Sequence, residues 1–259
     1  TIPNNWKSRT HFVTVEEDVE GLKKYGIDIM VPPKTCKGIG PTRQWVLENC
    51  PVRFALMIDD DQHFYKRLEN DWHLKYLHDK EFFEQDVEMN RMLDLIESLL
   101  SQETTSFGKK YFSVAVSSRQ GNNNSFPEKF VECTRMNNTY AIDTQLYKQE
   151  GVRFDNFRVI EDFDTTLSML TRGYPNIVLQ EYCWGQLTSN MAGGCSEYRT
   201  REILSEDVHA LKKKFPNFVS VVVKTSKSGW EGMEERDDVR IQWKKAFESS
   251  RIKPKRTLF

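Results

Sequence analysis

Apolar and polar positions along the first half of the chain fall into short β-like runs separated by helix-forming stretches. His11-Phe12-Val13-Thr14-Val15 is β-rich, Val19 to Tyr25 carries helix formers closed by Gly26, and Ile27-Asp28-Ile29-Met30-Val31 is a second strand stopped by Pro32-Pro33. This order predicts a βαβ unit. After the loop 34–40, Pro41 can occupy the first helical position, where its missing N–H costs nothing, and the helix runs through Trp45, Val46 and Leu47 to about Cys50. Arg53-Phe54-Ala55-Leu56-Met57-Ile58 is nearly continuous in apolar character. That is the pattern of a strand in the middle of a parallel sheet with both faces covered. It ends in Asp59-Asp60-Asp61.

Between Glu81 and Leu100, the residues Phe82, Phe83, Val87, Met92, Leu93, Ile96, Leu99 and Leu100 recur at mixed three- and four-residue steps, which predicts an amphipathic helix covering the sheet. Tyr111 to Val116 is the next strand, followed by an exposed polar loop, Ser117 to Ser125, containing Gly121-Asn122-Asn123-Asn124. Strands are expected at Phe130 to Thr134 and Tyr140 to Ile142, then a short helix ending at Gly151. A helix from about Asp162 to Thr171, with Gly173 just past its end, leads into the strand Asn176 to Leu179. A charged helix around Ser205 to Lys214 and a strand Val219 to Lys224 complete the pattern. The alternation places the chain in the α/β class with a mainly parallel central sheet flanked by helices. Residues 1–200 form the expected core and 201–259 a C-terminal extension of helix and strand.

At 259 residues the chain can bury a full core as one α/β domain with appendages. No run approaches the roughly 18 apolar residues that span a bilayer. The N-terminal Thr1-Ile2-Pro3-Asn4-Asn5 lacks the regions of a signal peptide, so no membrane partner and a cytoplasmic location are expected. The five cysteines, Cys36, Cys50, Cys133, Cys183 and Cys195, form no C-x-x-C pair, which points to free thiols instead of a disulfide framework or a thiolate zinc site. A net charge of -1 argues against non-specific coating of nucleic acid, which counterion release drives. Lys109-Lys110, Lys212-Lys213-Lys214 and Lys253-Pro254-Lys255-Arg256 leave room for local basic surface.

The loops beyond the carboxyl ends of strands in an open α/β sheet are where ligands bind. Three adjacent carboxylates repel one another, and a divalent cation relieves that repulsion; hard oxygen ligands suit Mg²⁺ or Mn²⁺. On an extended backbone Asp59 and Asp61 point to one side and Asp60 to the other, a D-x-D pair. A solvated acidic loop has the same composition. Arg43, in Gly38-Ile39-Gly40-Pro41-Thr42-Arg43-Gln44-Trp45, can bind phosphate or carboxylate bidentately where the glycines allow close approach, or it can be a surface arginine on a helix. Glu161-Asp162 before a helical run fits both a catalytic pair and simple complementation of the helix dipole. Arg119, Asn122 and Trp184 could meet an acceptor, with a polar loop and core packing as the plain alternatives. Gly193-Gly194 can form a closing loop beside Tyr198 and Arg199, or a capping turn.

An apolar strand ending in D-x-D, a glycine-containing helix start with an arginine before it, and Gly151-x-x-Phe154-Asp155 leading to Glu161-Asp162-x-Asp164 on a helix resemble, in this order, the GT-A glycosyltransferases, over about Phe12 to Tyr182. Within that fold the chain looks most like the phage and bacterial TET/JBP-associated glycosyltransferases, implicated in adding sugars to hydroxymethylated pyrimidines in DNA. The matching pieces are Gly38 to Trp45, Asp59 to Asp61 with Phe64 beyond, and Asn190-Met191-Ala192-Gly193-Gly194-Cys195 with Tyr198-Arg199. The resemblance implies a metal-dependent hexosyltransferase using a nucleotide-sugar donor such as UDP-glucose and a DNA acceptor. It implies that Thr14, Val15 and Glu16 lie near the nucleoside, and that Lys37, Gly38, Arg43, Asp59 and Asp60 bind the nucleotide sugar. Asp61, with Asp59, would hold Mn²⁺ or Mg²⁺; Asp162, with Glu161 second, would be the base that takes the acceptor proton. Arg119, Asn122, Trp184, Tyr198 and Arg199 would face the acceptor. His209, in a charged helical segment, is not expected to be a ligand. A two-metal phosphoryl-transfer enzyme and a non-catalytic binding module remain the alternatives.

Overall fold

The computed structural model describes residues 2–69, 71, 73–81, 83–119, 128–186, 200–225 and 235–251. In chain order these form β1 (His11–Val13), α1 (Val19–Leu22), β2 (Asp28–Met30), α2 (Ile39–Asn49), β3 (Phe54–Met57), β4 (Gln62–Arg67), β5 (Leu74–Tyr76) and α3 (Gln85–Leu100). They continue as β6 (Ser113–Ser118), β7 (Phe130–Glu132), β8 (Tyr140–Asp143), α4 (Thr144–Glu150), α5 (Glu161–Leu170), β9 (Asn176–Gln186), α6 (Arg201–Lys214), β10 (Val219–Thr225), β11 (Glu235–Ile241) and α7 (Trp243–Ser249).

The α/β class agrees with the pattern of the sequence, but the central sheet is mixed instead of mainly parallel. Its strand order is β3-β8-β6-β9-β4-β5, with β7 also on β9. Within this sheet β6 and β9 run parallel, while β3–β8, β6–β8, β4–β9, β4–β5 and β7–β9 are antiparallel. A parallel neighbour requires a crossover of a dozen or more residues. Only residues 58–61 separate β3 from β4, so the chain cannot cross over there and the two strands join the sheet at different places. β3 lies at an edge, pairing Met57 with Tyr140, not at the centre. An apolar run reports that a strand's faces are covered; it does not report how many strands flank it. The expected βαβ unit is present, with β1 parallel to β2, but as a separate two-stranded sheet.

Side chains alternate across the central strands and divide the core in two. Ala115, Tyr140, Ile142 and Val178 face one cluster, which α4, α5, α6 and α7 supply through Tyr147, Leu167, Leu211 and Phe247. Val114, Val116, Ala141, Ile177 and Leu179 face the other, covered by Met89, Met92, Leu93 and Ile96 of α3. β8 ends in Asp143, fully buried, whose carboxylate caps α4 by accepting from the Leu146 N–H at 3.0 Å. Burial opposes that charge, but Lys110 at 2.7 Å, the Leu146 amide and Arg53 at 3.2 Å outweigh it and hold the Asp143 carboxyl below the usual range. This cap fixes the end of the strand that begins, at Tyr140, in the candidate site. No described helix is long and apolar enough to cross a membrane. Cys36 and Cys50 are half-buried free thiols; burial pushes those of Cys133 and Cys183 up to about 12. Cys195 lies outside the described residues.

Candidate active site

The helix α2 docks through an unusual face. Gly40, Arg43, Gln44 and Leu47 are buried, a helical spacing in which only one residue is a large apolar side chain. Gly38, at φ 96°, turns the chain into the helix and starts it two residues before the Pro41 expected to open it. Gly40 then lets the first turn lie against the loop before α5: a Cβ there would sit 2.7 Å from the Phe154 carbonyl oxygen and 2.9 Å from that of Phe157. Gln44 locks the contact by accepting from the Phe154 N–H at 2.9 Å. Gly40→Ala is therefore expected to cost about 1–3 kcal/mol by overpacking. Thermal unfolding will show this as a fall of roughly 2–4 °C per kcal/mol. Gly21→Ala, with nothing within 4 Å of the added methyl, is the silent control.

Seating α2 this way places Arg43 at the meeting point of two acidic segments far apart in sequence. Its Nη2 donates to Asp59 Oδ1 at 2.9 Å and its Nη1 to Glu161 Oε1 at 2.6 Å. The guanidinium lies over the Tyr140 ring, 5.2 Å from its centroid. Burial opposes the charge on Arg43, yet Tyr140, Glu161, Asp59 and Asp162 together hold its pKa above the ordinary arginine value. For Asp59 burial pushes the carboxyl up, Arg43 pulls it part of the way back, and Asp61 and Asp60 add to the rise. The Tyr140 hydroxyl, buried beside these groups, has no hydrogen-bond partner among the described residues, and burial raises its pKa. The sequence left Arg43 open to phosphate or carboxylate, and the family resemblance implied a contact with the nucleotide. The structure commits its guanidinium to two carboxylates, so it joins the acidic run to the acidic helix.

Asp60 and Asp61 occupy the exposed turn between β3 and β4. Gln186, opposite Gln62 on β9, donates its side-chain amide to Asp61 Oδ1 at 3.0 Å. Gln62 in turn accepts from the Thr139 hydroxyl, which ties the turn to the residue preceding Tyr140. Asp162 is buried at the start of α5. Its Oδ1 accepts from the Phe163 N–H at 2.9 Å, and its Oδ2 accepts from Arg135 Nε at 2.9 Å, with Nη2 of the same guanidinium 2.8 Å away as an ion pair. Asp164, one turn position on, is held by Lys214 Nζ at 2.5 Å and Asn156 at 2.9 Å. Asp59, Arg43, Glu161 and Asp162 are thus brought together as the sequence expected, joined by Tyr140, Gln44 and Arg135, which it did not single out.

Other expected site residues are dispersed. The Thr14 N–H donates to the Met30 carbonyl at 3.1 Å at the end of the small sheet, Val15 is 56% exposed, and Glu16 stands 3.9 Å from the Lys34 ammonium. Lys37 is exposed in the loop before Gly38. Arg119 directly follows β6, with its guanidinium over the Tyr65 ring at 4.6 Å. Trp184 lies in the α3-side core, 8% exposed and opposite Phe64 of β4, the core packing that the sequence also allowed. Its position on a strand interior explains this, since aromatic content alone does not distinguish a core ring from a stacking platform. Asn122, Tyr198 and Arg199, with the Gly193-Gly194 loop, lie outside the described residues. Among the described residues no group of three or more His, Cys, Asp or Glu side chains is disposed to hold a metal ion. His209, on α6, approaches Asp237 of β11 at 3.4 Å, away from the aspartate turn.

No curated protein matches the sequence. Among solved structures, the chain is similar to the first 349 residues of S. aureus TarS in complex with UDP-GlcNAc, at 13% identity and a TM-score of 0.47, covering 78% of this chain and 57% of that one. The unliganded form and the UDP complex of the same protein give 12% identity with TM-scores of 0.43 and 0.42, covering 78% of this chain and 55% of each. The chain thus spans little more than half the length of these structures. The family model described as TET-Associated Glycosyltransferase matches residues 5–194, a stretch that contains Arg43, the aspartate turn and the start of α5. This chain belongs to the TET-associated glycosyltransferase family.

Proposed function

We propose that the chain transfers a sugar from a nucleoside-diphosphate sugar, such as UDP-glucose, to a hydroxyl acceptor, and that the acceptor is a 5-hydroxymethylpyrimidine in DNA. Family membership supports the donor class and sets aside the phosphoryl-transfer and binding-module readings. The observation that carries the site assignment is the buried Arg43 bridge, which unites Asp59 with Glu161, a residue 118 positions after Arg43, and so places the acidic turn beside the acidic helix. The resemblance to enzymes that modify hydroxymethylated DNA supports the acceptor.

In this reading Asp162 removes the proton from the acceptor hydroxyl as it attacks the sugar. Arg135 and the Phe163 amide orient its two oxygens. Glu161 is the second candidate base, and its bond to Arg43 favours a supporting role. Thr14, Val15, Glu16, Lys37 and Gly38 border the nucleoside side, and Arg119 the acceptor side. Residues 201–259 are read as an extension on a 1–200 core; its described part packs there, with Leu204, Val208, Leu211, Ala246 and Phe247 buried in the same cluster as Ala115 of β6 and Tyr140 of β8. A cytoplasmic location belongs to this reading, because a DNA acceptor would be met there.

In this reading the aspartate turn, which does not enclose a metal site by itself, would hold a hard divalent cation together with the donor's phosphates. Asp60 and Asp61 offer exposed carboxylates, while one oxygen of Asp59 is taken by Arg43. Mg²⁺ and ions like it are commonly held by one or two carboxylates, with substrate phosphates completing the shell. Asp61, aided by Asp59, would hold Mn²⁺ or Mg²⁺, which when bound would counter the charge on the departing diphosphate. Asp61→Asn is expected to raise the Mn²⁺ concentration needed for half-maximal transfer at least about 10-fold. Titrating Mn²⁺ into chelator-treated enzyme measures this, and an unchanged titration would remove Asp61 from the site.

The acceptor and donor are tested together by incubation with UDP-glucose and other nucleotide sugars on hydroxymethylcytosine- or hydroxymethyluracil-containing DNA, reading nucleoside mass. Addition of a hexose mass is expected; transfer only to a glycan or protein would overturn the DNA assignment.

A further inference from the structure

The side chain that binds Asp162 is itself held in place from outside the matched family segment. Arg135, between β7 and β8, is 41% exposed, and a long exposed side chain loses entropy in keeping one geometry. Its guanidinium lies over the Phe163 ring, 4.0 Å from the centroid. Phe163 in turn stacks on Trp243, with centroids 5.9 Å apart and planes 12° from parallel. Both are favourable aromatic contacts.

Trp243 opens α7, and that helix is fixed to the core by Ala246 and Phe247, at 0% and 3% exposure. Trp243 and Gln242 face Cys133 and Thr134, the residues just before Arg135, across a cleft of about 300 Å³. Cys133 takes a left-handed backbone, φ 53°, so the segment turns sharply as it delivers Arg135. The start of α7 therefore buttresses Arg135 through the ring of Phe163.

We propose that Trp243 is a positioning residue: through Phe163 it fixes the Arg135 guanidinium, and thereby the orientation of the Asp162 carboxylate. The catalytic part of this proposal rests on the reading of Asp162 as the base, whereas the coupling of Trp243 to Arg135 is independent of it. Displacement of a reacting group by about 1 Å can cost about 100-fold in rate. Trp243 does not touch Asp162 directly, so a smaller loss is expected, near tenfold in kcat, with the donor KM unchanged.

The test uses the full chain with the arginine side chains ¹⁵N-labelled. The Arg135 Nε–Hε signal is assigned by its loss in Arg135→Lys. In Trp243→Ala this signal is expected to move to the position of a solvent-exposed arginine, and in Trp243→Phe to stay in place. Trp243→Leu, which keeps apolar bulk without a stacking face, should behave as Ala does and serves if the alanine variant does not fold. An Arg135 signal unchanged in the leucine variant would overturn the proposal. Kinetics with UDP-glucose and hydroxymethylcytosine DNA separate the two readings. Wild-type kcat in Asp162→Asn would reject the base assignment alone. Inactivity of Asp162→Asn with full kcat in Trp243→Leu would reject the positioning role alone.

Discussion

Arg43→Ala is expected to destabilise the protein by about 3–5 kcal/mol, the cost of stranding buried charge when one partner of an ion pair is removed. The Asp59 side chain is 29% exposed and that of Glu161 6%, so water cannot readily replace the two bonds the guanidinium makes. Against a typical total stability of about 5–15 kcal/mol, the loss is large. Urea unfolding at neutral pH measures it. Arg43→Lys should recover little, because an ammonium has no rigid fork with which to reach both carboxylates. Adding Glu161→Gln to Arg43→Ala should recover part of the loss by removing one unpaired charge.

The pH dependence of this variant follows from the sign of the Asp59 shift. Burial raises the folded-state pKa of Asp59, and Arg43 opposes that rise. An acid whose folded pKa is raised binds more protons folded than unfolded, so its favourable contribution is full below the unfolded value, about 3.9, and is lost as pH rises through the folded value. Removing Arg43 extends the rise. The defect of Arg43→Ala should therefore be smaller near pH 4 than at pH 7, and a defect equal at both would show that Asp59 does not bear the stranded charge.

What the sequence disclosed divides along one physical line. Faces covered by apolar side chains leave a periodic trace, and α3, α5, α6, β6 and β10 were legible to within a few residues. Hydrogen-bond partners leave none. β3 was readable as a covered strand, yet its place at the sheet edge was not. β4 went unrecognised because only one of its three buried residues, Gln62, Phe64 and Arg67, is apolar, so it carries no apolar alternation. α2 was read from Pro41 to about Cys50 and lies at Ile39–Asn49, but which of its faces is buried was not legible, because that face carries Gly40, Arg43 and Gln44 beside Leu47. In the site, the carboxylates announced themselves by clustering, and Arg43 by its glycine-rich setting. Arg135 and Tyr140 had no such signal: one is delivered by a loop with positive φ at Cys133 and Asn138, the other is an ordinary strand tyrosine until Arg43 lies on it. Asp59 and Glu161 meet through a side chain that the family resemblance gave to the nucleotide, an instance of buried polar chemistry that composition cannot distinguish from exposed chemistry.

Asp162→Asn is expected to lower the turnover of sugar transfer by about 10²–10⁴-fold, the usual contribution of a positioned general base. That corresponds to about 3–5 kcal/mol of transition-state stabilisation. The asparagine keeps one oxygen to accept from the Phe163 N–H but turns its amide NH2 toward the Arg135 donors, so that ion pair is lost; Arg135, 41% exposed, can turn to water, and the thermal midpoint should fall less than in Glu161→Gln. The donor KM should hold, because the lost interaction belongs to the transition state and not to donor binding. Glu161→Gln provides the contrast. It breaks the 2.6 Å bond to Arg43 and leaves that buried cation with Asp59 alone, so its first effect should be on stability, with turnover falling less once measurements are made well below its midpoint. The two adjacent carboxylates are thus separated by which quantity moves. Were Glu161→Gln inactive at full stability while Asp162→Asn turned over normally, the proton would go to Glu161, and the Arg43 bridge would be the element that orients the base.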